Sequence, residues 1–232
     1  MIEVTYIDHM GSDLSVVNAA RVSFGKTHKF MTRGDVKLIH YLAKHKHMSP
    51  FGHAFASFHV KAPIFVARQL VKHKFLRWNE ISRRYVDDEP EFYEHDAWRG
   101  RSADKKQGSA GVIDIDSDTL PYYKLHSLDC YKELLDHGVA PEQARMVLPQ
   151  STMTEWYWSG SLDAFADMCI LRCKDDTQGE TRGIAHQISK VMLDLFPNSW
   201  QSLLGLTQNT IRDMTEDERQ RGKEKSIANG RG

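Results

Sequence analysis

Two segments of this 232-residue chain alternate apolar and polar residues and then continue directly into an amphipathic helix. Residues 54–62 (AFASFHVKA) alternate as a β-strand does, and Pro63 is well placed as the first residue of the helix that follows. Residues 153–160 (MTEWYWSG) have the character of a second strand, which leads into the helical pattern SLDAFADMCILR. Strands interleaved with helices predict a mixed α/β or α+β fold, and this length favours one domain over two.

Most of the remaining pattern is helical. Residues 2–8 alternate well enough for a further strand, and a helix capped at Ser12 or Asp13 is predicted to end near Gly25. Residues 99–119 are polar and rich in glycine and serine, which predicts a loop or insertion. Further helices are predicted over residues 36–47, about 120–137, 141–148 and 181–196.

The end of the chain differs in composition from the rest. From Asp213 onward it has few apolar residues, which is typical of a solvated segment. We therefore expect a single domain over residues 1–212 and a polar C-terminal tail over residues 213–232.

The overall composition limits the possible partners and compartments. Lys and Arg together number 31, as do Asp and Glu, and the pI is near 7.2, which argues against non-specific binding to DNA or to an anionic membrane. The N-terminus lacks the pattern of a signal peptide, and no apolar stretch approaches the roughly 18 residues that a transmembrane helix needs. Three cysteines do not form a disulfide framework. We expect a cytoplasmic protein without a membrane or nucleic-acid partner.

Residues 67–85 (ARQLVKHKFLRWNEISRRY) carry a local excess of positive charge. Six basic side chains and one histidine share this span with one acid, Glu80, which suits phosphate groups or nucleotides. Cations at a helix C-terminus also complement the helix dipole, but the adjoining NEISRRY adds hydroxyl, amide, carboxylate and guanidinium groups. The interleaved aromatic residues leave single-stranded nucleic acid as an alternative ligand, although one short basic patch is a weak electrostatic footprint.

This segment resembles the signature of the flavin-dependent thymidylate synthases. In that family Arg-His-Arg is followed by seven residues and a serine, with Arg-Tyr close behind; here the same spacing runs from Lys74 to Ser82. Residues 47–53 (HMSPFGH) resemble the family's His-x-Thr/Ser-Pro-Phe-x-His element. Two further segments resemble the family's downstream motifs: ARMVLP at 144–149, and the Leu-Arg pair that precedes Gln178 and Glu180. Several matches in the expected order are more specific than one short pattern.

The resemblance implies a fold and a reaction. The fold is α+β, with helices packed on a largely antiparallel sheet. The reaction is the methylation of dUMP to dTMP, in which methylenetetrahydrofolate gives the carbon and NADPH reduces a bound FAD. It also implies a homotetramer whose active sites are each built from several subunits. The alternative reaction is a flavin-dependent modification of C5 in a related pyrimidine nucleotide. The compact form of the chain would suit a viral or phage genome.

The resemblance also assigns site residues. Arg172 would be catalytic, because the family gives the matching arginine the role of activating uracil by favouring loss of a ring N–H proton. The nucleotide would be bound by Gln69, Lys72, Glu80, Ser82, Arg83, Arg84, Arg145 and Arg172. The flavin would be bound by His47, Ser49, His53, Lys72, His73, Lys74, Glu80, Ser161, Asp163 and Asp167.

The chain departs from the family pattern at the flavin. Lys72 and Lys74 replace two arginines, which keeps the charge and loses the planar bidentate fork. Ser161 and Asp163 stand where many relatives have Asn and Arg, and Asp167 stands where relatives often have histidine or another polar residue. We therefore expect FAD to be held less tightly than in relatives.

Other chemistries are less well supported by the residues. His45, His47 and His53 lie close together, but no carboxylate falls at ligand spacing and HExxH is missing, so no metal site is expected. Ser82 has arginines beside it and no general base, which favours a hydrogen-bonding role over a nucleophilic one. The unrelated classical thymidylate synthases use a thiolate, but the Arg-x-Pro-Cys context is found at none of Cys130, Cys169 and Cys173.

Overall fold

The structure, a computed structural model, describes residues 1–86, 88–95, 97–103, 109–115 and 119–205, with the backbone alone for 119–121. The tail predicted over residues 213–232 lies outside the described residues, so the division of the chain at residue 212 stays a prediction. In the described part of the chain, no helix is long and apolar enough to cross a membrane.

The described residues form six strands and eight α-helices, with three short 3₁₀ turns at Val22–Phe24, Ser49–His53 and Arg145–Val147. The strands are β1 (Glu3–Met10), β2 (Phe55–Pro63), β3 (Arg77–Glu80), β4 (Trp98–Arg101), β5 (Ser109–Ile113) and β6 (Met153–Ser161). The helices are α1 (Asp13–Arg21), α2 (Arg33–Lys44), α3 (Ile64–Leu70), α4 (Thr119–Asp136), α5 (Pro141–Ala144), α6 (Leu162–Arg172), α7 (Gly179–Leu195) and α8 (Pro197–Leu204).

Four strands form one sheet in the order β1-β2-β6-β3, and every neighbouring pair is antiparallel. The β2–β6 pairing is in continuous register, with Phe58 opposite Trp158, and β3 pairs with the other edge of β6. β4 and β5 form a separate antiparallel hairpin. Helices packed on an antiparallel sheet confirm the α+β fold class.

One face of this sheet is covered by helices and forms the core. Alternate residues of β2 are buried, as the sequence pattern predicts, and Phe58 packs edge-to-face on Phe165 of α6 at 5.3 Å between ring centroids. Trp158 of β6 packs on the same ring at 5.6 Å. Helices α1, α2, α7 and α8 complete the same cluster of buried residues. The sheet is therefore a rigid support for the segments attached to its ends.

The prediction of a loop or insertion over residues 99–119 was wrong as to a loop at residues 99–101 and 109–113, while residues 104–108 and 116–118 lie outside the described residues. Strands β4 and β5 lie within or next to it and form an antiparallel hairpin, in which Val112 and Ile113 are exposed, so no alternation of buried apolar residues marks it. The helix predicted to begin at Pro63 begins at Ile64 and ends at Leu70. The chain then turns through Phe75, which has a φ of 64°, and returns as β3.

Gly160 of β6 allows that turn to pack closely on the sheet. A Cβ atom at this position would overlap Leu76 Cδ2 and would lie 3.3 Å from the Phe75 carbonyl oxygen. Leu76 is buried in the core beside the strand. The absence of a side chain at Gly160 thus fixes where the basic segment lies relative to β6 and α6.

Candidate active site

His73 and Arg172 meet at one end of the core. Arg172 is the last residue of α6, and His73 follows α3, with its backbone N–H 3.1 Å from the Leu70 carbonyl oxygen. Arg172 Nε donates to His73 Nε2 at 2.9 Å, and Arg172 Nη2 donates to the backbone carbonyl oxygen of Gln69 at 3.1 Å. The guanidinium is therefore held by two acceptors on the segment that leads out of α3.

The electrostatics of this pair follow from burial. Burial of the imidazole, and then the charge of Arg172, lower the pKa of His73 to about 4. At neutral pH His73 is uncharged, which allows Nε2 to accept the bond from Arg172. Burial also lowers the pKa of Arg172, but an arginine stays charged at neutral pH. The arrangement is a fixed positive charge beside a neutral ring.

Gln69 is also tied to the N-terminus of α7. Its Nε2 atom donates to Gln178 Oε1 at 2.5 Å, and Gln178 is the residue that precedes this helix. Glu180, in the first turn of α7, accepts from Arg99 Nη2 of β4 at 2.6 and 2.7 Å. Gln178 and Glu180 line a cleft of about 370 Å³, together with Phe65, Tyr93, His95, Ala97, Trp98, Arg99, Ser109, Lys124 and Ser151.

The carboxylate of Glu80 is fixed at the end of β3. Glu80 Oε1 accepts from Thr154 Oγ1 at 2.7 Å, and Glu80 Oε2 accepts from Trp78 Nε1 at 2.9 Å. The Trp78 ring is itself stacked on Trp156, with 4.2 Å between centroids. Pairing of β3 with β6 thus sets both the position and the orientation of this acid.

The residues after β3 form a turn that carries three candidate ligands. The Tyr85 N–H donates to the Ser82 carbonyl oxygen at 3.0 Å, and the Arg84 guanidinium lies over the Tyr85 ring at 4.9 Å from its centroid. Arg83 Nη1 donates to the Asp88 carbonyl oxygen at 3.0 Å. Within the described ranges, Arg84 has no acidic partner and Ser82 has no histidine or carboxylate at hydrogen-bond distance.

Arg145 lies apart from this turn along the chain. It begins the short 3₁₀ turn after α5, and its Nε donates to the Glu142 carbonyl oxygen at 3.2 Å. Its guanidinium has no ion pair in the described part of the chain. No hydrogen bond among the described residues joins Ser82, Arg84 or Arg145 to Arg172.

Comparison with known proteins identifies the family. A model of the thymidylate synthase complementing protein family, Thy1, matches residues 5–198. The chain belongs to this family. The flavin-dependent thymidylate synthase of Thermus thermophilus is 41% identical over 200 residues, covering 85% of this chain and 73% of that protein. The enzyme of the same name from Thermosipho africanus is 38% identical over 206 residues, with 85% and 89% covered.

Solved structures give the same family fold. A UMP/dUMP methylase, PolB from Streptomyces cacaoi bound with 5-Br dUMP, superposes with a TM-score of 0.79 at 30% identity. The match covers 88% of this chain and 95% of that one. Family membership and fold, expected from the motifs, are confirmed.

Some of the predicted flavin ligands lie around the start of α6. The Leu162 N–H donates to the Ala54 carbonyl oxygen at 2.9 Å, which joins the 3₁₀ turn holding Ser49 and His53 to the end of β6. Ser161 Oγ donates to Asp163 Oδ1 at 2.5 Å. His47, Ser49 and His53 are exposed, as are Lys72 and Lys74 on the basic segment.

Asp167 differs electrostatically from the other flavin candidates. Asp167 is exposed, but partial desolvation by the surrounding protein, and then the charge of Asp163, raise its pKa, and Lys46 partly opposes this. Asp167 and Asp163 lie one helical turn apart on α6, which places two acids next to each other on the helix surface. No group of three or more His, Cys, Asp or Glu side chains among the described residues is arranged to hold a metal ion.

Sequence reasoning assigned a site role to none of the residues that line the cleft. Arg99 fell in the segment predicted to be a loop, and Glu180 was recognised only as part of a family motif. Gln178 was noted in the same way, although its amide contacts Gln69 directly. An acid in the first turn of a helix is a common stabilising feature, which gave no reason to place Glu180 in a site.

Proposed function

We propose that the protein is a flavin-dependent thymidylate synthase that methylates dUMP to dTMP. Methylenetetrahydrofolate would supply the carbon, and NADPH would reduce the bound FAD. The observation that carries this proposal is the Arg172 guanidinium held against neutral His73 and Gln69 at the end of the family's basic segment. Relatives named flavin-dependent thymidylate synthase and a neighbour named UMP/dUMP methylase support the same chemistry at C5 of the pyrimidine.

Arg172 would act on the uracil ring. A guanidinium has five N–H donors, and two of them are used by His73 and Gln69, so three remain for a ligand. A fixed cation beside the ring would favour loss of the ring N–H proton and stabilise the negative charge that develops. His73, which accepts from Nε, would orient the guanidinium without adding a competing charge.

The phosphate would be bound by arginines without acidic partners. Arg84 and Arg145 have no ion pair among the described residues, and although each guanidinium donates one N–H to a neighbouring oxygen, its charge and its other donors are available to an anion. Ser82 would add a neutral donor, and Arg83 would support the turn through its bond to the Asp88 carbonyl oxygen. The remaining nucleotide ligands would be Gln69, Lys72, Glu80 and Arg172, as the resemblance implies.

The side chains around α6 fit an FAD molecule by their chemistry. Lys72 and Lys74 offer exposed ammonium groups for the pyrophosphate, while Asp163 and Glu80 offer fixed acceptors for hydroxyl or ring N–H donors. His47, Ser49, His53, His73, Ser161 and Asp167 would complete the set of ligands. When bound, FAD would supply the reducing equivalents for methylation. The protein's own part would be to hold the rings and to exclude water.

We further propose a homotetramer. Large apolar side chains are exposed on the segments that carry the site, with Phe75 79%, Tyr85 76% and Met146 80% accessible. Exposed apolar groups of this kind beside polar ligands mark surfaces that meet another molecule. No hydrogen bond among the described residues joins Ser82 or Arg145 to Arg172, and a second subunit would bring further nucleotide ligands to the site.

The test is NADPH oxidation by the FAD-loaded protein with and without dUMP and methylenetetrahydrofolate. We expect oxidation coupled to dUMP only when the folate is present, with a product heavier by one CH₂ group. UMP should be assayed in parallel, because the structural neighbour is named as a methylase of both nucleotides. A protein that shows no flavin spectrum even with excess FAD would overturn the proposal and favour the nucleic-acid alternative.

A further inference from the structure

The cleft of about 370 Å³ is lined by residues of the β4–β5 hairpin and of the start of α7, and the proposed function assigns no ligand to it. Phe65 and Tyr93 line it with their rings edge-to-face, at 6.0 Å between centroids. Trp98 of the hairpin also lines it, and the His95 ring packs edge-on against this indole at 3.9 Å between centroids. Aromatic side chains around a cleft of this size fit a small molecule with a planar ring.

The cleft is held open by contacts that need no ligand. The Tyr93 N–H donates to the Ser151 carbonyl oxygen at 2.7 Å, which ties this side to the chain before β6. On the hairpin side, Arg99 Nη2 donates to both oxygens of Glu180 at 2.6 and 2.7 Å. Arg99 Nη1 lies over Gly179, where a Cβ atom would be only 3.1 Å away. The site is therefore preformed, as small-molecule sites usually are.

The arginine and the lysine that line the cleft, Arg99 and Lys124, are paired differently. Arg99 is held by Glu180, whose side chain is only 8% exposed. The Lys124 side chain is 18% exposed, but its ion-pair partner Glu94, at 3.3 Å, is 85% exposed. An ion pair with so exposed a carboxylate contributes little free energy, so another anion can displace Glu94. Lys124 therefore offers a ligand a displaceable cation inside the cleft.

The charges of the cleft favour a carboxylate over a phosphate. One displaceable ammonium group matches a single negative charge, whereas phosphate sites typically combine arginine forks with helix N-termini. The N-terminus of α7 borders the cleft, but Glu180 in its first turn already places a negative charge there. Among the small molecules of the proposed reaction, dUMP, FAD and NADPH carry phosphate groups, whereas methylenetetrahydrofolate carries only carboxylates. Its p-aminobenzoyl ring is planar, and its glutamate follows that ring directly.

We infer that this cleft binds the p-aminobenzoyl-glutamate tail of the folate, with the ring against the aromatic side chains and a glutamate carboxylate on Lys124. The inference rests on the proposed function, which makes the folate a substrate and places the pyrimidine at Arg172. The cleft adjoins that place, because Gln178 of the cleft accepts from Gln69 Nε2 at 2.5 Å. The Gln69 carbonyl oxygen accepts in turn from Arg172 at 3.1 Å. A folate that delivers its carbon to the pyrimidine can therefore extend its tail into the cleft.

Two substitutions change the charge beside the tail in opposite directions. Lys124→Gln removes the ammonium group that binds the carboxylate. Glu94→Gln keeps Lys124 and removes the carboxylate that competes with the folate tail. Because Glu94 is exposed, this variant tests the inference even if Lys124→Gln does not fold. Lys132→Gln is the matched control, because Lys132 lies on the same helix α4 and pairs with Glu89 at 2.9 Å, outside the set of residues that line the cleft.

The experiment measures dissociation constants by calorimetry for the protein loaded with FAD and dUMP. The probes are tetrahydrofolate and 6-methyltetrahydropterin, which has the reduced pterin ring without the tail. We expect Lys124→Gln to weaken tetrahydrofolate binding by about fivefold to tenfold, which is the effect of one hydrogen bond between charged groups in a partly exposed place. Glu94→Gln should strengthen it by about twofold to fivefold. Neither variant should change the affinity of 6-methyltetrahydropterin, and Lys132→Gln should match the wild type for both probes.

The opposite results would overturn the inference. These are an unchanged affinity for tetrahydrofolate in Lys124→Gln, an equal loss for both probes, or no gain for tetrahydrofolate in Glu94→Gln. The proposed function is judged separately. If the wild type methylates dUMP and all variants bind tetrahydrofolate equally well, the proposed function stands and only the role of the cleft is lost. If the FAD-loaded wild type binds neither dUMP nor tetrahydrofolate, the proposed function fails and the inference fails with it.

Discussion

Replacement of Arg172 by alanine removes the charge that the proposed mechanism needs. Three of its N–H donors are free for the base, and the other two fix its orientation on His73 and Gln69. Loss of one well-placed donor to a developing anion typically lowers the rate by about 100-fold to 1,000-fold. We therefore expect Arg172→Ala to lower turnover by about 100-fold or more, with FAD content and thermal midpoint close to wild type.

Arg172→Lys is the matched control, because it separates the effect of the positive charge from the effect of the guanidinium geometry. A lysine ammonium keeps the charge but lacks the planar fork that contacts His73 and Gln69 together, so its turnover should lie between those of the wild type and the alanine variant. The assay is dUMP-dependent NADPH oxidation at saturating folate. A rate near wild type in Arg172→Ala, in a folded and flavin-loaded protein, would remove Arg172 from the mechanism.

Three further predictions concern the cofactor and stability. Restoring the family's arginines with Lys72→Arg and Lys74→Arg should raise the fraction of FAD retained on purification, measured from the flavin absorbance; unchanged retention would show that the lysines do not limit binding. The pKa of His73 is about 4 in the folded protein and 6.5 in an ordinary histidine, so between pH 4 and 6.5 the unfolded chain binds more protons than the folded chain. The free energy of unfolding should therefore fall as the pH drops from 6.5 toward 4. This loss of stability should be less than about 3 kcal/mol, because the half-buried ring is partly screened by solvent, and it should be smaller in His73→Gln. Equal pH profiles of the thermal midpoint in the wild type and His73→Gln would contradict this prediction. Asp35→Asn should lower the free energy of unfolding by about 2–3 kcal/mol, because the buried Asp35 carboxylate makes hydrogen bonds to Arg21 at 2.6 Å and to His28 at 2.9 Å. An unchanged thermal midpoint would refute this prediction.

The elements that the sequence predicts well are those with long apolar periods. Strands β2 and β6 and helices α2, α6 and α7 pack on one core, so their buried residues recur at the spacing of the element. Strand β3 has only four residues, too few for alternation to be recognised, and its conformation is set by pairing with β6. Helix α8 begins at Pro197, a start signal that was present and was not used.

The candidate site was likewise predictable only where the signal lies in a local stretch of sequence. Local motifs identified the basic segment and Arg172, because the order of the family's residues is visible along the chain. The contact of Arg172 with His73 joins positions 99 residues apart, and the bond between Gln69 and Gln178 joins positions 109 residues apart. Such contacts depend on how α3, α6 and α7 pack, which no local pattern contains. The assigned ligand roles stay predictions until the variants are measured.

The most direct test of the central claim is the fate of the folate carbon. The FAD-loaded protein should be incubated with dUMP, NADPH and methylenetetrahydrofolate that carries an isotopic label in its methylene group, and the nucleotide product analysed by mass spectrometry. We predict dTMP with the label in its 5-methyl group, formed about 100-fold or more slowly when Arg172 is replaced by alanine. Unlabelled dTMP, or unchanged dUMP in a flavin-loaded protein that oxidises NADPH, would contradict the assignment of this chain as a thymidylate synthase.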